Sequence, residues 1–124
     1  MESALRVAGV IPSEAALRQQ DRARLYEARA ILLDRFTNPP TVDMLARLVG
    51  INRTTLRRGF KDMFGETIAD FCQNRRMTLA RELLKDPRFT IAEIAETVGY
   101  GQPTNFSAAF RRHFDALPRD FRSH

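Results

Sequence analysis

The 124-residue sequence has one cysteine, Cys72, two histidines and no tryptophan. A lone cysteine excludes an internal disulfide framework, and with only two histidines it falls short of a structural zinc site, so no metal or cofactor is expected. Glycine-rich phosphate loops, nucleophile elbows and His-x-x-x-His pairs are all missing, and the carboxylates share helical faces with arginines. No catalytic residue is therefore assigned, and the sequence does not read as an enzyme. No apolar run approaches the roughly 18 residues of a membrane span, and residues 1–20 lack a basic segment followed by an apolar one. The expected setting is reducing, cytoplasmic and free of membrane. Lysine is scarce too: of twenty basic residues only Lys61 and Lys85 are lysine, the other eighteen being arginine.

What is present is positive charge. The formal net charge of +5 and the pI near 10.3 point to a polyanionic partner. Arginine suits bidentate bonding to phosphate or guanine, although GC-rich coding produces the same bias. The excess is local. Residues 41–85 carry nine basic and five acidic side chains, whereas 1–40 (six and five) and 86–124 (five and five) are nearly balanced. The length corresponds to one domain, or one domain with a tail.

The stretch 50–65 lies at the centre of that excess. Gly50-Ile51-Asn52 reads as a tight turn, with Asn52 as an N-cap. Leu56, Phe60, Met63 and Phe64 follow at helical spacing on one face, and Gly65 supplies the stop. With 3.6 residues per turn, Thr54, Arg57, Arg58 and Lys61 gather on the opposite face. Such a helix can sit on a core and present cations to an anion.

The flanking segments are helical as well. Residues 1–20 read as a leader or linker remnant, broken at Ile11-Pro12-Ser13, with Ser13 capping a short helix through Gln20. Leu25, Ala28, Leu32 and Phe36 predict an amphipathic helix over 21–36, ended by Asn38-Pro39-Pro40. Thr41 caps a helix over 42–49 with Val42, Leu45, Ala46 and Val49 inward. Together with 52–64 this is a helix-turn-helix outline. Thr67 caps a long helix over 68–85, with Phe71, Met77, Ala80, Leu83 and Leu84 inward and Arg75, Arg76 and Arg81 outward. Thr90 and Glu93 form a capping box, and Phe89 is placed to pack on Ile94 as a hydrophobic staple.

The pattern then repeats. Val42, Leu45, Ala46, Val49 and Gly50 recur about 49 residues later as Ile91, Ile94, Ala95, Val98 and Gly99. Leu56, Phe60, Phe64, Asp70 and Phe71 recur about 50 later as Phe106, Phe110, Phe114, Asp120 and Phe121. The predicted fold class is therefore all-α, with about seven helices: two helix-turn-helix subdomains joined by a long linker helix. The first unit spans about 41–64, the linker about 67–85 and the second about 90–114, within a domain over 21–122.

Residues 76–84 (RMTLARELL), 91–100 (IAEIAETVGY), 106–114 (FSAAFRRHF) and 117–122 (LPRDFR) resemble the AraC/XylS-type transcription regulators across about 21–122. Three positions depart from the family pattern. Asp115 and Leu117 stand where Gly and Ser are usual, and Gly59 fills an interior helical position that relatives give to a larger residue, costing about 1 kcal/mol against Ala. The effector-sensing domain carried by most relatives is not in these residues.

The resemblance implies a bacterial, sequence-specific transcription regulator acting as an activator, with double-stranded DNA as partner and RNA polymerase as a candidate second one. It places the second helix of each unit, 52–64 and 103–114, in successive major grooves about one turn, roughly 34 Å, apart. Thr54, Arg57 and Arg58 match base-reading positions in the first unit, and Thr104 and Ala108 in the second. Asn52, Arg53, Lys61, Ser107, Arg111 and Arg112 are assigned to the DNA backbone. Because Ala108 is short and Pro103 opens its helix, the first helix is expected to read more and the second to position.

Competing readings remain at this point. The arginine face also fits a solvated helix surface, and the whole chain a helical protein-interaction adaptor with a basic face. Cys72 reads as a small core filler, the Phe60/Phe64 and Phe110/Phe114 pairs as core, and His113 as a flank residue near phosphate.

Overall fold

A computed structural model describes the backbone of residues 14–122 and the side chains of 18–122. The described residues form seven α-helices and no strand: α1 (Glu14–Arg35), α2 (Val42–Val49), α3 (Arg53–Phe64), α4 (Ile68–Leu84), α5 (Ile91–Thr97), α6 (Pro103–Phe114) and α7 (Pro118–Arg122). Helices α1, α2 and α3 pack on one another, and α5, α6 and α7 pack about the C-terminal half of α4. The all-α, two-unit architecture is thus as expected.

The caps explain the boundaries. Thr41 and Thr67 each accept a hydrogen bond from the backbone three residues on, at 3.1 and 3.0 Å. The capping box is complete, with the Thr90 N–H donating to Glu93 Oε1 at 2.8 Å and the Glu93 N–H to Thr90 Oγ1 at 3.0 Å. The staple does not accompany it: Phe89 is exposed and lies outside the second core, while Ile94 is fully buried. Phe89 instead contributes its carbonyl, which accepts from Arg122.

α1 differs from expectation in being one continuous helix from residue 14, without a break at residue 20. Neither glycine nor proline interrupts 14–35, and Ala, Leu, Arg, Gln and Glu are good helix formers. Ser13 and the rest of the expected leader, residues 1–13, lie outside the described residues.

Two cores result. Leu25, Ala28, Leu32, Leu45, Ala46, Val49, Leu56, Phe60, Phe71 and Cys72 form the first; Met77, Ala80, Leu84, Ile94, Ala95, Val98, Phe106, Ala109 and Phe110 the second. α4 contributes its N-terminal half to one and its C-terminal half to the other, so it is a shared structural rod. Each fully buried large side chain contributes about 1.5–3 kcal/mol of transfer free energy. Gly59 has a packing reason absent from its local sequence: a Cβ there would stand 2.7 Å from Leu25 Cδ1, so its lack of a side chain admits α1.

The arginines of α4 are not simply outward. The Arg75 guanidinium lies over the Phe71 ring, 3.5 Å from its centroid, and pairs with Glu66 at 3.5 Å. Arg76 Nε donates to the Phe36 carbonyl at 2.9 Å, and Arg81 stands over Phe114 at 5.0 Å. Arg81 is exposed as expected, whereas Arg75 and Arg76 are only half-exposed, because an arginine stem and its planar head cover neighbouring surface while keeping some donors accessible.

Candidate nucleic-acid interface

α3 is held so that one face must stay outside. The Thr55 N–H donates to Asn52 Oδ1 at 2.8 Å, which starts the helix, and Gly65 ends it at φ 78°. Leu56 and Phe60 are fully buried, fixing the rotation of α3 about its axis. Thr54, Arg57, Arg58 and Lys61 are consequently exposed. Arg53, Thr54, Arg57 and Arg58 line a shallow pocket of about 470 Å³.

Charge pairing divides these residues. Arg53 Nη1 lies 3.5 Å from Asp43 Oδ1, with both side chains more than half exposed, a pair worth under about 1 kcal/mol. Among the described residues Arg57, Arg58 and Lys61 make no ion pair, so their donors face solvent unpartnered. Asn52, expected at the DNA backbone, spends its side-chain oxygen on the cap and keeps only its amide nitrogen free for a phosphate.

In the second unit Phe106, Ala109 and Phe110 are buried, turning Thr104, Ala108, Arg111 and Arg112 outward, with Ser107 half-buried. Gln102 makes no side-chain cap, and Pro103 occupies the first turn, where a missing N–H costs nothing. Arg111 and Arg112 make no ion pair among the described residues. His113 is exposed with its ring edge-on to Phe114 at 4.5 Å. Cys72 is buried in the first core, which pushes its thiol pKa up against the opposing pull of Arg76 and Arg75.

The joint between the units escaped the sequence reading. The Arg76 guanidinium reaches from α4 to the Phe36 carbonyl and lies 5.9 Å from the centre of the Tyr100 ring. Tyr100 Oη donates to Gln73 Oε1 at 3.0 Å. Gly99, at φ 103°, comes so near that a Cβ would overlap the Thr37 carbonyl. The turn of the second helix-turn-helix therefore leans on the end of α1 in the first unit. The one available signal was the Gly99-Tyr100 pair after α5, which marks a close approach without naming its partner.

Two helix-turn-helix units, each presenting an unpaired basic second helix and braced against each other, define the double helix-turn-helix class of domain. A family model described as "Helix-turn-helix domain" matches residues 45–124. The chain is 34% identical over 84 residues to Regulatory protein SoxS of Escherichia coli K12, covering 68% of this chain and 78% of that protein. To the transcriptional activator RhaS of Citrobacter koseri it is 34% identical over 100 residues, 81% of this chain and 36% of that one. An AraC-type DNA-binding-domain regulator from Chromobacterium violaceum superposes with a TM-score of 0.73 at 29% identity, covering 82% of this chain and 91% of that one. The DNA-binding domain of AdpA, solved with a target DNA, gives 0.73 at 25% identity over 81% and 90%. The chain belongs to the AraC/XylS-type family of transcription regulators.

Proposed function

We propose that this chain regulates transcription by sequence-specific binding to double-stranded DNA, with α3 as the principal base reader and α6 mainly as a positioning element. The observation that carries this is the unpaired cationic face of Arg57 and Arg58 on a helix whose rotation the core fixes. Arg57 and Arg58 offer bidentate donors to guanine O6 and N7, and Thr54 a methyl and a hydroxyl to a neighbouring base. Lys61, Arg111 and Arg112 suit phosphate, as do the remaining donors of Arg53 and Asn52. In α6, Thr104 and Ser107 are the polar atoms available, and Ala108 offers only a methyl contact. The AdpA domain was solved bound to a target DNA and the RhaS relative is named an activator, which supports the same partner and an activating role here; RNA polymerase is the candidate second partner.

A cytoplasmic regulator rather than an enzyme is the consistent reading; among the described residues no helix is long and apolar enough to cross a membrane. Selection from random duplex DNA at stated salt tests the proposal. Two boxes about ten base pairs apart are the expected outcome, and a single box would end the two-reader geometry. Arg57→Ala or Arg58→Ala should cost about 1–3 kcal/mol of discrimination in one box, read from single-base variants of the selected duplex. Arg111→Ala should weaken all sequences alike and reduce the salt slope by about 1. A stronger base preference under α6 would reverse the ranking.

A further inference from the structure

A second pocket, of about 220 Å³, opens beside the reading face between α1 and α3, lined by Asp21, Leu25, Thr54, Arg58, Gly59 and Asp62 among others. Two carboxylates thus share a wall with the arginine assigned to base reading. Asp62 lies one turn beyond Arg58 on α3, and Asp21 one turn before Leu25 on α1. Asp21 is there because of Gly59. With no Cβ to meet Leu25 Cδ1 at 2.7 Å, the Leu25 side chain of α1 fits against α3, and Asp21, one turn before it, lines the same pocket as Thr54 and Arg58. Neither carboxylate, nor Arg58, makes an ion pair among the described residues.

A carboxylate beside a phosphate-facing surface opposes binding by repulsion, so two of them call for a compensating role. Guanidinium chemistry supplies one. Arginine has five N–H donors in a planar fork, and a guanine edge takes two. Once the interface excludes water, the remaining three face back toward the protein and need acceptors. We propose that Asp21 and Asp62 are positioning residues that accept the rearward N–H groups of Arg58 and hold its fork in the plane of the base edge. Gly59 is the third member of the device, because it sets the separation of α1 from α3. The inference rests on Arg58 as a base reader, and its test separates the two.

The wild-type chain is first used to select a duplex from a randomised library; that duplex and its single-base variants are then titrated at fixed salt with Arg58→Ala, the Asp21→Ala/Asp62→Ala double variant and Asp62→Glu. Arg58→Ala should identify the base pair that Arg58 reads. The double variant should lose preference at that same base pair by about tenfold, within the range of one bidentate contact, with preferences elsewhere and the melting temperature unchanged. Asp62→Glu, which keeps a carboxylate on the same helical row, should retain the preference. If the double variant binds every duplex more tightly with an unaltered preference, the carboxylates merely repel phosphate and the inference fails while Arg58 stands. If Arg58→Ala alters no base preference, the reading of Arg58 fails and takes the inference with it.

Discussion

Asp115 ends α6 at φ 59° and ψ 26°, the only non-glycine in the left-handed region among the described residues. Its N–H donates to the Arg111 carbonyl at 2.8 Å, so the turn is needed while the side chain pays a steric cost for it. Asp115→Gly should raise stability by about 1 kcal/mol, read as an increased urea midpoint at constant m-value. Gly99 is the reverse case. Gly99→Ala combines a φ of 103° with overlap on the Thr37 carbonyl, a backbone atom that no rotamer change can move aside. A loss of about 3 kcal/mol or more is expected in the same measurement. Both positions end a helix, yet only one demands glycine. The difference lies in what stands opposite.

At the scale of elements, the 85–90 connection shows how a short loop is stabilised by charge. Arg88 grips the Asp86 carboxylate, with Nη2 at 2.7 Å and Nε at 3.0 Å, and the Arg88 backbone N–H donates to the same carboxylate at 3.0 Å. These bonds, the side-chain one first, lower the Asp86 pKa from 3.8 to about 2. Because the folded-state value lies below the unfolded one, the stabilisation is present in full above about pH 4 and is lost as the pH falls toward 2. Asp86→Asn should therefore remove part of the acid sensitivity: the gap in melting temperature between variant and wild type should be open at pH 6 and close by about pH 2. Behind this loop, Arg122 donates to the carbonyls of Leu84, Asp86 and Phe89, tying α7 to the end of α4. The last carbonyl of α4, that of Leu84, is thereby satisfied by a side chain 38 residues away.

For the whole molecule the decisive feature is the joint around Arg76. The two cores share one helix, and Arg76, Tyr100, Gln73, Gly99 and Thr37 prevent the units from turning about it. A braced pair offers DNA two helices at a fixed separation, so the second engages without a further loss of orientational freedom. Arg76→Ala should weaken binding to a two-box duplex while leaving binding to a single box nearly unchanged, measured by titration of both duplexes at one salt concentration. Equal losses on the two duplexes would mean that Arg76 contributes to folding or to DNA contact rather than to the joint.

The helices, their caps and the duplication were legible because each is written within a few neighbouring residues. Thr90 with Glu93, Asn52 before Leu56, and the recurrence of Val42-Leu45-Ala46-Val49 as Ile91-Ile94-Ala95-Val98 are local patterns, and local patterns survive in a sequence. So did the division of α3 into a buried stripe and a cationic face, which follows from 3.6 residues per turn. Tertiary structure alone decided which cations remain available. Arg75 and Arg76 look like Arg57 and Arg58 in the sequence, but they meet the Phe71 ring and the Phe36 carbonyl. It also decided that Gly59 admits Leu25 and that Gly99 meets Thr37, contacts across 34 and 62 residues for which no spacing rule exists. The physical reason is one of range: caps and periodicity act within a turn or two of the chain, whereas the packing that pairs a charge or demands a glycine is set by whichever distant segment the cores bring alongside.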